Sequence, residues 1–261
     1  MFTTNYILKS ILFFCTAIMI AGCVTPKNLT VYPQEEEIAI DSFQEVQIGR
    51  AMAEELIKKE YPLWRNPAQQ FFINKVGQRI AQACGRRDIV YHFAILDSPD
   101  LNAFALPGGY VYIYRGIFEK MDEAELAAIV AHEVAHVVAH HALTKMRADL
   151  GYNVLAGLVF FALGQRDPRL EEELPRFRGL VFEALSKGYG QNEEFLADNL
   201  AVEYLRSAGY DPDSLARALL LLETSIGPGG RVFETLSTRS VMRERLKRIE
   251  NKTKVSGNVL L

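Results

Sequence analysis

His132-Glu133-Val134-Ala135-His136 places two imidazoles four residues apart, with a carboxylate next to the first. On an α-helix of about 3.6 residues per turn, both rings fall on one face, one turn apart, where each can give a nitrogen to the same metal ion. Glu133 then lies roughly 100° round the helix from His132, close enough to reach a water on the metal without being a ligand itself. This set does one kind of chemistry well: hydrolysis by a zinc-activated water, with Glu133 taking the proton and returning it to the leaving group. A catalytic zinc takes three protein ligands and keeps a position for water, so a third ligand must come from another part of the chain.

Two places could supply it. His140 follows His136 by four residues, but on a straight helix it sits a turn too far along, so His140 and His141 read as a polar helix end or as groups that support a ligand. The segment Asn192-Glu193-Glu194-Phe195-Leu196-Ala197-Asp198 is the better source. Glu194 and Asp198 are again four apart on one face, so one can bind metal while the other orients a ligand histidine.

The elements that must position these groups are mostly helical. Ser42 with Glu45 reads as a capping box opening a helix that Pro62 ends, and Asn66-Pro67 opens a second that stops at Gly85. Ile89 to Leu96, Asn102 to Leu106 and Tyr110 to Tyr114 read as strands, the last two joined tightly through Pro107-Gly108-Gly109. Asp122 and Glu125 form another capping box, predicting a long helix from about Glu123 to Arg147 that carries both histidines. The apolar run Val154 to Leu163 is too short to span a membrane and reads as a core or cleft-covering helix, followed by a charged loop and a helix to about Lys187. Asn192 is expected to cap a helix ending at Gly209, Asp211-Pro212 to start the next, Gly227 to Gly230 to form a loop, and Val241 to Glu250 to form the last helix before a frayed tail. The predicted fold is α+β, mainly helical, with a small sheet beside the helix of the two histidines.

The chain begins with an address. Lys9 followed by the apolar run Ile11 to Ile20 has the shape of a secretion signal, too short to span a membrane. It ends in Ile20-Ala21-Gly22-Cys23, which resembles a bacterial lipobox and implies cleavage before an acylated Cys23. Val24, where an Asp would often mark inner-membrane retention, then suggests the outer membrane facing the periplasm. Cys15 leaves with the signal and Cys23 carries lipid, so Cys84 is left alone as a small apolar residue and no internal disulfide forms. The expected layout is a signal peptide over 1–22, a lipidated terminus and polar tether over 23–40, a zinc peptidase domain over 41–250 and a tail over 251–261. With 49% hydrophobic and 23% charged residues, disorder is excluded. A formal charge of -3 leaves no basic field to draw in nucleic acid.

HExxH followed about sixty residues later by Glu194-Phe195-Leu196-Ala197-Asp198, with Asn102-Ala103-Phe104-Ala105-Leu106-Pro107-Gly108-Gly109 and Asp122-Glu123-Ala124-Glu125-Leu126-Ala127 upstream, resembles the gluzincin peptidases. These include the CAAX prenyl endopeptidase, the HtpX heat-shock protease and periplasmic lipoprotein proteases, and the likeness covers roughly Asp41 to Glu250. It implies a zincin-like fold with one zinc per chain on His132, His136 and Glu194. Asp198 then acts as the carboxylate behind a ligand, and Asn102, Ala103, Phe104 and Ala105 form the edge along which an extended peptide adds as a strand. Two positions depart from the family pattern: Gly190-Gln191 stands where Ser-Arg is usual, and Arg239-Ser240 where His-Pro is frequent. That His approaches the active site in some members; the guanidinium of Arg239 cannot ligate zinc but can donate to an oxyanion, or Arg239 is a plain surface residue, while Arg245 matches the family arginine and is placed with Glu133 among the catalytic groups. The function implied is a lipid-anchored zinc endopeptidase acting on misfolded or misassembled envelope proteins. The alternatives are an outer-membrane assembly and quality-control factor with little turnover, and a zinc hydrolase of cell-wall or lipid-linked material.

Overall fold

In strand Tyr110–Tyr114 the sequence alternates Tyr, Val, Tyr, Ile, Tyr, and all five side chains are buried because both faces of the sheet are covered. The computed structural model describes residues 40–59, 61–150, 157, 188–225 and 239–257, which belong to one unit spanning 38–261. The expected signal, Cys23, most of the tether, the apolar run 154–163 apart from Gly157, the charged loop and helix up to Lys187, and the loop 227–230 lie outside the described residues.

The elements are α1 (Ser42–Lys59), α2 (Pro67–Ala83), β1 (His92–Leu96), β2 (Ala103–Leu106), a 3-10 turn over Pro107–Gly109, β3 (Tyr110–Tyr114), α3 (Arg115–Lys120), α4 (Glu123–Val138), α5 (His141–Leu150), α6 (Gln191–Ser207), α7 (Ser214–Ser225) and α8 (Arg239–Gly257). This is the mainly helical α+β architecture expected. The sheet order is β1-β3-β2, with β1 parallel and β2 antiparallel to β3. Phe93, Ile95, Ala105, Val111 and Ile113 join the main core with α2, α4, α6 and α7, while Leu96, Leu106, Tyr110, Tyr112 and Tyr114 form a second cluster with Ala53 and Leu56 of α1. The outer edge of β1 is closed by side chain and loop. The Gln70 amide accepts from Ile95 N–H (2.9 Å) and donates to Ile95 C=O (2.8 Å), and Trp64 N–H reaches the same carbonyl.

Helix α4 is buried from Leu126 to Val137 on every side, as a helix apolar all round must be. Ala127, Ala128, Ala131 and Ala135 meet Ala197 and Ala201 of α6 in one core, and small residues on both helices allow a close approach. That approach puts Glu194 and Asp198 opposite His132 and His136. The Asp122/Glu125 capping box is present. Among the described residues no single helix is long and apolar enough to cross a membrane.

The structure differs from expectation in five places. The box opening α1 is one residue earlier: Asp41 Oδ1 accepts from Gln44 N–H and Gln44 Oε1 accepts from Asp41 N–H. Glu45 is thereby freed to point inward, where it is 1% exposed. Strand β1 starts at His92 rather than Ile89. The helix expected to run to Arg147 breaks at Ala139-His140, and α5 leaves at 58°. Helix α6 starts from Gly190 with no side-chain cap, so Asn192 lies inside it. Helix α8 runs on through the expected tail to Gly257, because Lys252 Nζ bonds Asn199 C=O (2.9 Å) and the Glu203 carboxylate (2.8 Å).

Candidate metal centre

Helices α4 and α6 bring His132 Nε2 and His136 Nε2 to 3.0 Å of each other, with the Glu194 carboxylate 3.4 Å from the first and 3.6 Å from the second. One donor atom from each of the three lies within 4.8 Å of the others, and all three residues are buried. Two imidazoles and a carboxylate aimed at one point, with a position left for water, are the donor set of a catalytic zinc. Two imidazole nitrogens 3.0 Å apart and both facing the Glu194 carboxylate suit a shared cation.

Behind the donors stands a buried network. His132 Nδ1 lies 3.0 Å from Asp198 Oδ1. Arg245 of α8 forks onto Asp198, with Nε to Oδ2 and Nη2 to Oδ1 both at 2.8 Å, and its Nη1 lies 3.0 Å from Glu194 Oε2. Arg245 is fully buried, holds Glu194 and Asp198, and itself lines the cleft beside them. Glu133 is buried and lines the same cleft.

Burial and charge set the protonation of these groups. Burial pushes Glu133 up to about 7, which suits a general base. Burial works against a charged His132, but the bonds to Asp198 and Glu194 outweigh it and hold the ring protonated up to about 10 when no metal is bound. His136 is driven the other way, by burial first and then by the charge of His132. Burial would raise Asp198, yet the Arg245 charge and fork hold it at about 2.

A carboxylate whose folded pKa lies below its unfolded value of 3.8 stabilises the fold above that value, and the stability is lost as pH falls through the folded pKa. Asp198 is therefore expected to contribute about 2 kcal/mol near neutral pH and to lose it between about pH 4 and pH 2. Acid unfolding of the metal-free protein, followed by circular dichroism, should show this limb in the wild type and a flatter one in Asp198→Asn.

The strand residues reach the same cleft. Asn102, Ala103, Phe104 and Ala105 line it with the metal-site groups, beside an apolar wall that includes Ile129, Leu215 and Leu219. Tyr114 N–H bonds Asn102 C=O (2.9 Å), so Asn102, Phe104 and Leu106 direct their backbone groups toward β3, and Ala103 and Ala105 direct theirs outward. The Asn102 side chain already takes Ala103 N–H (2.9 Å). Among the described residues, the outward groups left for a partner strand are Ala105 N–H and the carbonyls of both alanines.

Four neighbours complete the surroundings of His136, and of these only His141 was expected, with His140, as a polar helix end or a support for a ligand. Tyr189 stacks on His136, ring centroids 4.2 Å apart. Arg86 and Glu45 sit behind the end of α4, from positions far away in the chain. His141 reaches His136, which its place one residue past a straight helical turn would not allow.

The comparisons with known proteins agree with this geometry. Residues 67–253 match the model of peptidase family M48. The chain is 26% identical over 215 residues to the beta-barrel assembly-enhancing protease of Escherichia coli K12, a match covering 80% of this chain and 44% of that protein. It is 26% identical over 217 residues to the mitochondrial metalloendopeptidase OMA1 of Schizosaccharomyces pombe, covering 83% and 60%, and 25% identical over 169 residues to the metalloprotease LoiP of Escherichia coli K12, covering 64% of each. The chain thus spans less than half the length of the assembly-enhancing protease. With the match extending over most of its length and through every element of the metal centre, this chain belongs to peptidase family M48.

Proposed function

We propose that the chain is a zinc-dependent endopeptidase, carried on an acylated Cys23 at the outer membrane facing the periplasm, that hydrolyses unfolded or misassembled envelope polypeptides. Its parts are a signal over 1–22, a lipidated terminus and tether over 23–40, the peptidase domain over 41–250 and a C-terminal segment that α8 carries to Gly257. The observation that carries the reading is the convergence of His132, His136 and Glu194, all buried, within 4.8 Å. Family membership and the names of the relatives, a metalloprotease and an assembly-enhancing protease among them, support it. The anchor is supported by Ile20-Ala21-Gly22-Cys23.

His132, His136 and Glu194 would hold one zinc per chain. Bound there, zinc supplies a Lewis acid that acidifies a water and polarises a peptide carbonyl. Glu133 takes the water's proton on its carboxylate and passes it to the leaving amine, so peptide hydrolysis needs no covalent intermediate. Asp198 Oδ1, 3.0 Å from His132 Nδ1, faces that ring and keeps it aimed, while Arg245 holds both carboxylates in place. Ala103 and Ala105 align an extended substrate by strand addition, which fixes the scissile bond without reading its sequence.

The test is zinc content and casein cleavage measured together. One zinc per chain is expected, with cleavage abolished by a chelator and restored by added zinc. Zinc without cleavage would favour the assembly and quality-control role, and absence of zinc would remove the site assignment.

A further inference from the structure

The C-terminal end of α4 is built unlike a plain helix end. On a continuous helix a residue five positions after His136 sits roughly 140° round the axis from it, so the two rings could not meet. Here His140 adopts a positive φ of 53°, the only non-glycine among the described residues to do so, and the chain turns back. His141 Nδ1 comes to 2.7 Å from His136 Nδ1, with both rings buried.

A left-handed conformation is unfavourable for a residue with a Cβ, so something must hold it. Glu45 does so from α1. Its buried carboxylate lies 3.2 Å from His140 Nδ1, takes two bonds from Arg86 (2.6 and 3.3 Å), and accepts Gly108 N–H (2.9 Å). Arg86 in turn donates to Val137 C=O (2.9 Å), the carbonyl that also takes His140 N–H (3.1 Å) where α4 ends. Nothing in the hydrolytic scheme uses Glu45, Arg86, His140 or His141, yet they form one connected set ending on a ligand ring.

The direction of the last bond follows from the site. The Nε2 atoms of His132 and His136 face each other and Glu194, so a metal takes His136 through Nε2 and the ring proton sits on Nδ1. His136 Nδ1–H must then donate, and the atom it meets must accept. We propose that His141 is a positioning residue: its unprotonated Nδ1 accepts from His136 Nδ1–H and orients that ligand, and the Glu45–Arg86–His140 cluster sets the helix break that brings it there. The two histidine ligands are thereby supported by different groups, His132 by a carboxylate and His136 by a neutral imidazole. The assignment deepens the zinc reading above and rests on it.

The experiment measures the zinc dissociation constant of the full-length protein by competition with a chromophoric chelator, for wild type and three variants. Asn places its Oδ1 close to where His carries Nδ1, whereas Gln carries its acceptor one bond further out. His141→Ala and His141→Gln are expected to weaken zinc binding about 10- to 100-fold, and His141→Asn to stay within about threefold of wild type. Equal affinity in all four proteins, or an Asn variant as weak as the Ala variant, would overturn the assignment, since packing alone does not distinguish Asn from Gln in this order. A wild type that fails to bind zinc would instead overturn the metal site itself, and this role with it. Far-UV circular dichroism on the same samples separates loss of affinity from loss of fold.

Discussion

Glu133→Gln is expected to keep zinc at one per chain and to lower kcat by about 10²- to 10⁴-fold, with KM little changed. Gln has nearly the same shape, so it fills the buried site without a cavity, and Glu133 is not one of the three converging donors. What it lacks is a carboxylate to accept a proton. Because burial already raises Glu133 to about 7, the substitution removes a charge the fold holds reluctantly, and the melting temperature should hold or rise. Zinc analysis, steady-state kinetics and a thermal melt on one preparation check all three statements. A variant that retains turnover, or that loses zinc, would show that the carboxylate has another role.

Arg245→Met is the second large effect, and it falls on stability. Arg245 is 0% exposed and lies against two buried carboxylates, Asp198 at 2.8 Å and Glu194 at 3.0 Å. Removing the guanidinium takes from two buried carboxylates the charge and the fork that it supplies, which costs about 3–5 kcal/mol in the metal-free protein. For a chain of this size that lowers Tm by roughly 10 °C. The double variant Arg245→Met/Asp198→Asn should recover part of the loss, because it removes one of the stranded charges along with its partner. Arg245→Lys should fall between, keeping the charge but losing the two-pronged geometry. An unchanged melt for Arg245→Met would mean that the arginine is not structural and is available to substrate instead.

The parts of this site that were legible in the sequence are those whose geometry is local. His132, Glu133 and His136 are fixed relative to one another by a helical turn, as are Glu194 and Asp198, and the Asp122/Glu125 box and the Asn66 cap are three-residue relations. Alternation in Tyr110 to Tyr114 needed only the pleat. What was illegible depends on partners remote in the chain. Ala139-His140-His141 contains no Gly or Pro, so a straight helix was the reasonable expectation, and the break exists because Glu45 and Arg86 hold it from outside. Asp41 and Ser42 are both good caps, and the choice between them is settled by Arg86, which draws Glu45 inward and out of reach of the helix start. Polar residues after Glu250 looked like a tail until Lys252 was seen to reach α6. Tyr189 has no motif of its own.

The Glu45 contacts also bear on where the protein can be cut without harm. The stretch that the family model matches begins at residue 67, although the similarity to individual relatives starts earlier; Glu45 lies on α1, ahead of residue 67, and reaches the loop after α2, the turn between β2 and β3, and the bend after α4. Helix α1 also covers the tyrosine face of the sheet. The stretch that the family model matches and the packed unit around the metal centre therefore have different borders. Amide protons of α1 and of the α4 C-terminus should exchange together, in a single opening event, and a chain trimmed back to the family's own limits would keep every zinc donor while losing the strut that holds one of them to its angle.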